Sequence, residues 1–301
     1  MAESRLALPM TAVYAVVVCL SFGLISEQLW LPFAFLAAST YLMVVLNNAN
    51  ALIRIYSRMV SCSFLVLALL SKQNFIDTDC SIVQLCFIAF HVLLFSAYQD
   101  KRAVGRVFYA FLMLGIASTV FPQMLFYVPL AWILMFTNVL AGSMRSLCAS
   151  LLGLFVPYWF WGVYCLYSND INTLIVHLSG LSEFGGLLDF TSVSLRDKVI
   201  VSFLSLLSLA GMIHFHRNNY KDRIRTRMLF EIFTVFNLAT MCFALLQPVH
   251  LKFIISLLTV STAPMTGHYI SLTNTKWTNL SFLVISFIAL LITVSNLWMP
   301  F

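Results

Sequence analysis

Charge is what this sequence has least of. Only 9% of its 301 residues are Asp, Glu, Lys or Arg, whereas a soluble domain carries about 25%. A water-soluble globule must cover its surface with polar groups, and seventeen basic plus eleven acidic side chains cannot cover 34.0 kDa. That excludes a soluble globule and leaves lipid as the solvent. Reactive motifs are missing too. None of the seven cysteines falls in a CxxC pair, so zinc and dithiol redox chemistry have no foothold; Cys80 and Cys165 come near one common face, which leaves a disulfide between them open. The six histidines, His91, His177, His214, His216, His250 and His268, include no i, i+4 ligand pair, and neighbours two apart such as His214 and His216 point to opposite sides of a helix. HExxH and GxSxG are absent, removing the intramembrane metalloprotease and serine-hydrolase templates. No metal and no cofactor is expected.

Two further absences narrow the field. Low-complexity stretches and Pro/Gly/Ser linkers do not occur, so residues 1–301 read as a single transmembrane domain. No charged residue sits near the middle of an apolar run, although ion-coupled transporters usually keep one there despite a cost of about 2.5 to 3.5 kcal/mol. A permease for a neutral or amphipathic solute stays open, because Asn47, Asn48, Asn138, Asn237 and the Ser256-to-Thr262 stripe supply amides and hydroxyls.

What is present is hydrophobicity, 61% of the chain. A spanning helix needs about 20 apolar residues to cross roughly 30 Å of hydrocarbon. That template fits near residues 7–25, 29–46, 56–71, 80–97, 104–120, 123–141, 146–167, 198–215, 228–247, 251–268 and 278–298. The expected fold is all-α, a polytopic transmembrane bundle of about eleven spans, with ten and twelve as the alternatives because the third run is short and the fifth meets the sixth at Phe121-Pro122. The first run lacks a small-x-small cleavage site behind it and reads as a retained helix.

Lysine and arginine accumulate on the cytoplasmic side of membrane proteins. With eleven runs, thirteen of the seventeen fall in alternate gaps on the amino-terminal side, and seven of the eleven acids fall on the other. The amino terminus is therefore expected in the cytoplasm. The one long outer gap, residues 168–197, carries Ile171, Leu174, Ile175, Leu178 and Leu181 at helical spacing. It predicts a helix lying in the interface, broken by Gly185-Gly186.

Within this frame a few residues offer chemistry. The run HFHRNNYKDRIRTRM, residues 214–228, sets Arg217, Lys221, Arg223, Arg225 and Arg227 against a single acid. Guanidinium forks match phosphate oxygens, so an anionic lipid or polyprenyl phosphate is the expected partner; the same cluster also serves simply to fix topology. The basic residues are scattered between apolar runs, which excludes nucleic acid. In the outer gap between the third and fourth runs, Asp77-Thr78-Asp79 pairs two carboxylates that could hold a divalent ion or act as a base toward a sugar hydroxyl; a solvated turn is the simpler explanation. Tyr158, Trp159, Trp161, Tyr164 and Tyr167 could stack on sugars or form an interfacial belt with Trp30 and Trp298. Gly142, Ser146 and Ser150, four residues apart, predict close helix packing.

Some of these runs carry a resemblance. Gly115-Ile116-Ala117-Ser118, then Pro122 and Trp132, then Arg145 and the run Leu152 to Tyr158 resemble a family of polytopic bacterial inner-membrane envelope proteins of about 300 residues whose activity is unassigned. The match covers residues 98–167 and elsewhere rests on hydropathy. It departs where the family's acid-tryptophan pair is replaced by Ser146-Leu147. The resemblance implies the bacterial cytoplasmic membrane and carries over no catalytic residue. Together these readings favour an accessory, non-catalytic envelope protein that binds lipid or a membrane-protein partner through its basic gap. The rivals are a glycosyltransferase or polymerase acting on lipid-linked sugars near Asp77 and Asp79, and the neutral-solute permease.

Overall fold

In a computed structural model that describes residues 4–191 and 193–298, with the side chain of Trp298 outside the description, every apolar run of the sequence is helical, and the described residues contain no strand. The helices are α1 (Ala7–Ser21), α2 (Trp30–Asn50), α3 (Met59–Ala68), α4 (Lys72–Ile76), α5 (Thr78–Ser96), α6 (Val104–Val120), α7 (Tyr127–Thr137), α8 (Met144–Tyr167), α9 (Ile171–Ser179), α10 (Leu195–Asn218), α11 (Ile224–Leu246), α12 (Leu251–Leu272) and α13 (Lys276–Trp298). Seven stretches among the described residues are long and apolar enough to cross a membrane: α2, α5, α8, α10, α11, α12 and α13 with their flanking turns. The other four apolar runs are shorter. With ten residues, α3 rises only about 15 Å, half the hydrocarbon thickness.

Local chemistry sets the ends. Ser143 and Ser146 form a reciprocal capping box that starts α8, satisfying backbone donors that a helix N-terminus leaves open. Ser194 and Asp77 cap α10 and α5 by accepting from the backbone N–H groups of Asp197 and Asp79. Pro122, which cannot donate a backbone hydrogen bond, follows the extended Phe121 and turns the chain through a 3-10 segment, Pro122–Phe126, into α7. The left-handed Ala51 (φ 46°) ends α2, its carbonyl accepting from Thr226 Oγ1 at 3.4 Å.

Of the seven long apolar stretches the most enclosed is that of α12, 78% buried over its most apolar window, against 22% for the peripheral α13. Backbones meet where side chains vanish. A Cβ at Gly267 would lie 2.8 Å from the Val60 nitrogen, joining α12 to α3, and one at Gly115 would lie 3.0 Å from the Leu154 carbonyl oxygen, joining α6 to α8. Of the small residues expected to mediate packing, Gly142 instead lies in the turn before α8, under the Phe136 ring. Ser146 completes the cap, and the fully buried Ser150 accepts from Trp132 Nε1 at 2.9 Å. Among the described residues all seven cysteines are free thiols, so the disulfide left open between Cys80 and Cys165 is not formed.

The connections sort into two linked sets. In the first, the turns after α2, α5, α7 and α10 are tied together. Gln99 donates its backbone N–H to the Val139 carbonyl, Arg225 reaches Asn50 and Phe95, Thr226 reaches Ala51, and Asn138 reaches Met228 and Glu231. In the second, Asn74 bonds the Lys252 carbonyl, Gln123 bonds the Gly180 carbonyl and approaches His250, Gln247 bonds the Gly185 carbonyl, and Asn296 bonds the Leu70 carbonyl.

Candidate functional site

The first set of turns carries the basic run. After α10 the chain makes a 3-10 turn, Asn219–Lys221, passes through the extended Asp222 and enters α11. That extension turns the Asp222 side chain inward, leaving it 1% exposed. His268 Nε2 donates to Asp222 Oδ2 at 3.1 Å, and Arg54 Nη1 lies 3.9 Å from Oδ1. His268, on the enclosed α12, is fully buried; its ring is bounded by Phe230 at 4.9 Å, Phe215 at 5.5 Å and His214 at 5.6 Å. A buried carboxylate is tolerated only when opposite charge or strong donors offset its lost hydration, and here His268 and Arg54 supply them. Three buried atoms of the cluster, Asp222 Oδ1, His268 Nδ1 and His214 Nδ1, have no hydrogen-bond partner.

The five basic residues of the run divide by environment. Arg217, Lys221 and Arg223 are exposed and make no ion pair among the described residues. Arg225 is exposed too, but its guanidinium is bonded: Nη2 donates to Asn50 Oδ1 at 2.7 Å and to the Phe95 carbonyl at 3.5 Å, and the guanidinium lies 5.4 Å from the Tyr98 ring centre. Arg227 is half-buried and its Nε has no partner. The acid nearest the run in sequence faces inward, so the outer face of the turn is cationic without internal compensation.

At the other set of turns, Asp77 is occupied on both carboxylate oxygens, one accepting from the Asp79 backbone N–H at 3.0 Å and the other paired with Lys252. Asp79 is exposed in the first turn of α5. Asp77 lines a recess of about 400 Å³ with Lys72, Gln73, Ile76 and Arg196. The aromatic stretch lies elsewhere. Trp159 and Tyr158 line an apolar groove of about 690 Å³ between α8 and α9, which neither aspartate lines. The structure therefore does not bring the carboxylates and the aromatic faces into one site. His177 Nε2 donates to the Ser118 carbonyl at 3.0 Å and its ring meets Trp161 edge-on at 4.7 Å, pinning α9 against α6; burial pulls its imidazole below the ordinary value, opposed in part by that carbonyl.

Three of the four amides nominated for a polar path bond between elements, and Asn48 is exposed. Asn237 Nδ2 donates to Ser261 Oγ and Thr262 Oγ1 at 2.9 and 3.0 Å, Asn138 Nδ2 to Glu231 at 2.8 Å, and Asn47 Nδ2 to the Ser57 carbonyl at 2.8 Å. Among the described residues no group of three or more His, Cys, Asp or Glu is placed to hold a metal ion. The Asp222–His268 pair was not singled out by sequence reasoning. Its signals were a lone acid inside a basic run and a histidine inside an apolar one. The chain matches no protein-family model, no curated protein and no solved structure.

Proposed function

We propose that this chain is a multi-pass membrane protein of eleven crossings, with its amino terminus in the cytoplasm, that engages phosphate-bearing anionic lipid head groups through the turn at residues 217–223. The observation that carries the reading is the inward turn of Asp222, which leaves Arg217, Lys221 and Arg223 as an exposed cationic face. Near an anionic membrane surface each such residue is worth about 1 kcal/mol. The eleven crossings rest on the two linked sets of turns, between which the apolar helices alternate. The orientation rests on the excess of Lys and Arg in the first set. An interfacial place for α9 rests on its exposed apolar residues, Ile175 and Val176 among them. The resemblance over residues 98–167 supports a bacterial inner membrane and an accessory envelope role.

The test is co-flotation of the detergent-purified protein with liposomes containing phosphatidylglycerol. Converting Arg217, Lys221 and Arg223 together to Gln is expected to weaken binding more than tenfold at low salt, from about 1 kcal/mol each, and to flatten its salt dependence. Unchanged binding would remove the lipid role from this turn.

A further inference from the structure

Away from the 217–223 turn lies a cavity of about 340 Å³ lined by α1, α3, α10, α12 and α13. Its lining is almost wholly apolar, from Leu6, Met10, Val66, Leu207, Ile270 and Phe282, with small residues on α3 and α13, Ser63, Ser286 and Ala289, leaving the space. Beyond one end, a helical turn past the lining residues Met10 and Ala289, Tyr14 Oη donates to Thr293 Oγ1 at 3.3 Å. The other end lies where Leu6, Met59 and Ile270 stand at the termini of α1, α3 and α12 facing the first set of turns. On α3 the lining runs from Met59 to Leu67, a helical rise of about 12 Å, which lies within one leaflet of the roughly 30 Å hydrocarbon thickness.

Basic residues flank this end in the chain. Arg5 sits between the lining residues Ser4 and Leu6, Arg58 immediately precedes the lining residue Met59, and Lys276 begins α13. None of the three makes an ion pair among the described residues. An apolar slot within one leaflet's depth, with basic residues in the segments that lead into its mouth, has the polarity of an anionic lipid in the cytoplasmic leaflet. We infer that it seats one acyl chain of an anionic glycerophospholipid, with the phosphate held by Arg5, Arg58 and Lys276. The volume suits one chain. Phosphate recognition by guanidinium and ammonium groups supplies the head-group preference.

The inference shares the orientation of the proposed function but uses different residues, so the two fail separately. The experiment uses proteoliposomes containing phosphatidylglycerol with a photoactivatable group in one acyl chain, followed by mass-spectrometric mapping of the adducts. Adducts are expected to concentrate in residues 59–67 and 282–289 and to be competed by unlabelled phosphatidylglycerol but not by phosphatidylcholine of the same chains. Ser286→Phe, at an exposed position on α13 that fills the slot from its rim, should lower these adducts about tenfold, since several buried methylenes are displaced. Lys276→Gln should weaken competition by phosphatidylglycerol. Replacing Arg217, Lys221 and Arg223 should leave slot labelling unchanged. Adducts spread evenly over all lipid-facing helices, or equal competition by phosphatidylcholine, would overturn the inference on the unmodified protein even if Ser286→Phe fails to fold. Stronger competition by a polyprenyl phosphate would overturn the assignment to a glycerophospholipid.

Discussion

Asp222 and His268, 46 residues apart in the chain, meet through an Nε2–H donated to Oδ2 at 3.1 Å, with both side chains withdrawn from the surface. The contact fastens the α10–α11 turn to α12, the most enclosed of the seven long apolar helices. Removing one partner of a buried pair leaves the other uncompensated, at a cost of about 3 to 5 kcal/mol. Asp222→Ala and His268→Ala should each lower the melting temperature in detergent markedly. The double variant should lose less than the sum of the two, because each single change already abolishes the contact. Additive losses would mean that the pair does not hold the turn.

Arg225 differs from the other exposed cations of its run in being bonded. Its guanidinium is committed to Asn50, Phe95 and Tyr98, and hydrogen bonds to charged groups are worth about 1.5 to 3 kcal/mol. Arg225→Gln is therefore expected to reduce thermal stability while leaving binding to phosphatidylglycerol liposomes close to the parent value. Lys221→Gln should do the reverse. A larger binding defect for Arg225→Gln than for Lys221→Gln in the co-flotation assay would refute this division of labour.

Glycine matters at Gly267 and not at Gly105. A methyl group at Gly267 would stand 2.8 Å from the Val60 nitrogen and 2.9 Å from its Cα, both backbone atoms that cannot swing aside. Overpacking of this kind costs about 1 to 3 kcal/mol, so Gly267→Ala should depress the unfolding temperature. At Gly105, in the first turn of α6, nothing lies within 4 Å of an added Cβ. Alanine is a better helix former than glycine by up to about 1 kcal/mol, so Gly105→Ala should leave stability equal or raised. Thermal unfolding followed by tryptophan fluorescence compares the two directly.

The orientation is open to a direct chemical test. Cysteine placed at Lys221 should resist a membrane-impermeant maleimide on intact cells and react after permeabilisation. Cysteine at Leu187, exposed in the segment after α9, should react in both. The parent protein, whose Cys148 and Cys242 are exposed, sets the background. Labelling of Lys221→Cys on intact cells would reverse the assignment of sides.

Much of the helical framework was legible from hydropathy. The run expected at residues 104–120 is α6 with the same limits, and the apolar spacing of Ile171, Leu174, Ile175 and Leu178 is realised as α9. Transfer of apolar groups out of water is roughly additive along the chain, so such runs can be read residue by residue. The third run was less legible. Apolar composition continues from residue 56 to 71, yet α3 is confined to Met59–Ala68, with Ser57 capturing the Met59 N–H before it and Ser71 starting α4 after it. Those endpoints depend on hydrogen bonds that an apolar average does not register.

The candidate site was legible only as a cluster of charge. Five basic residues looked alike in sequence, and the fold gave them three different surroundings, outward for Arg217, Lys221 and Arg223, bonded for Arg225, half-buried for Arg227. The serine and glycine spacing at Gly142, Ser146 and Ser150 suggested helix packing; the closest backbone approach between α6 and α8 is at Gly153, against the Phe108 carbonyl, with a second at Gly115.

By itself the sequence determined that the chain is helical, apolar and asymmetric in charge, because composition and helical period act locally and sum along the polypeptide. Only the tertiary structure decided which acid meets which base, which amides are consumed between helices, and where a cavity is left. Those outcomes depend on how closely distant helices approach, through contacts such as Gly267 against Val60 and His268 against Asp222, and no short window of residues contains both partners.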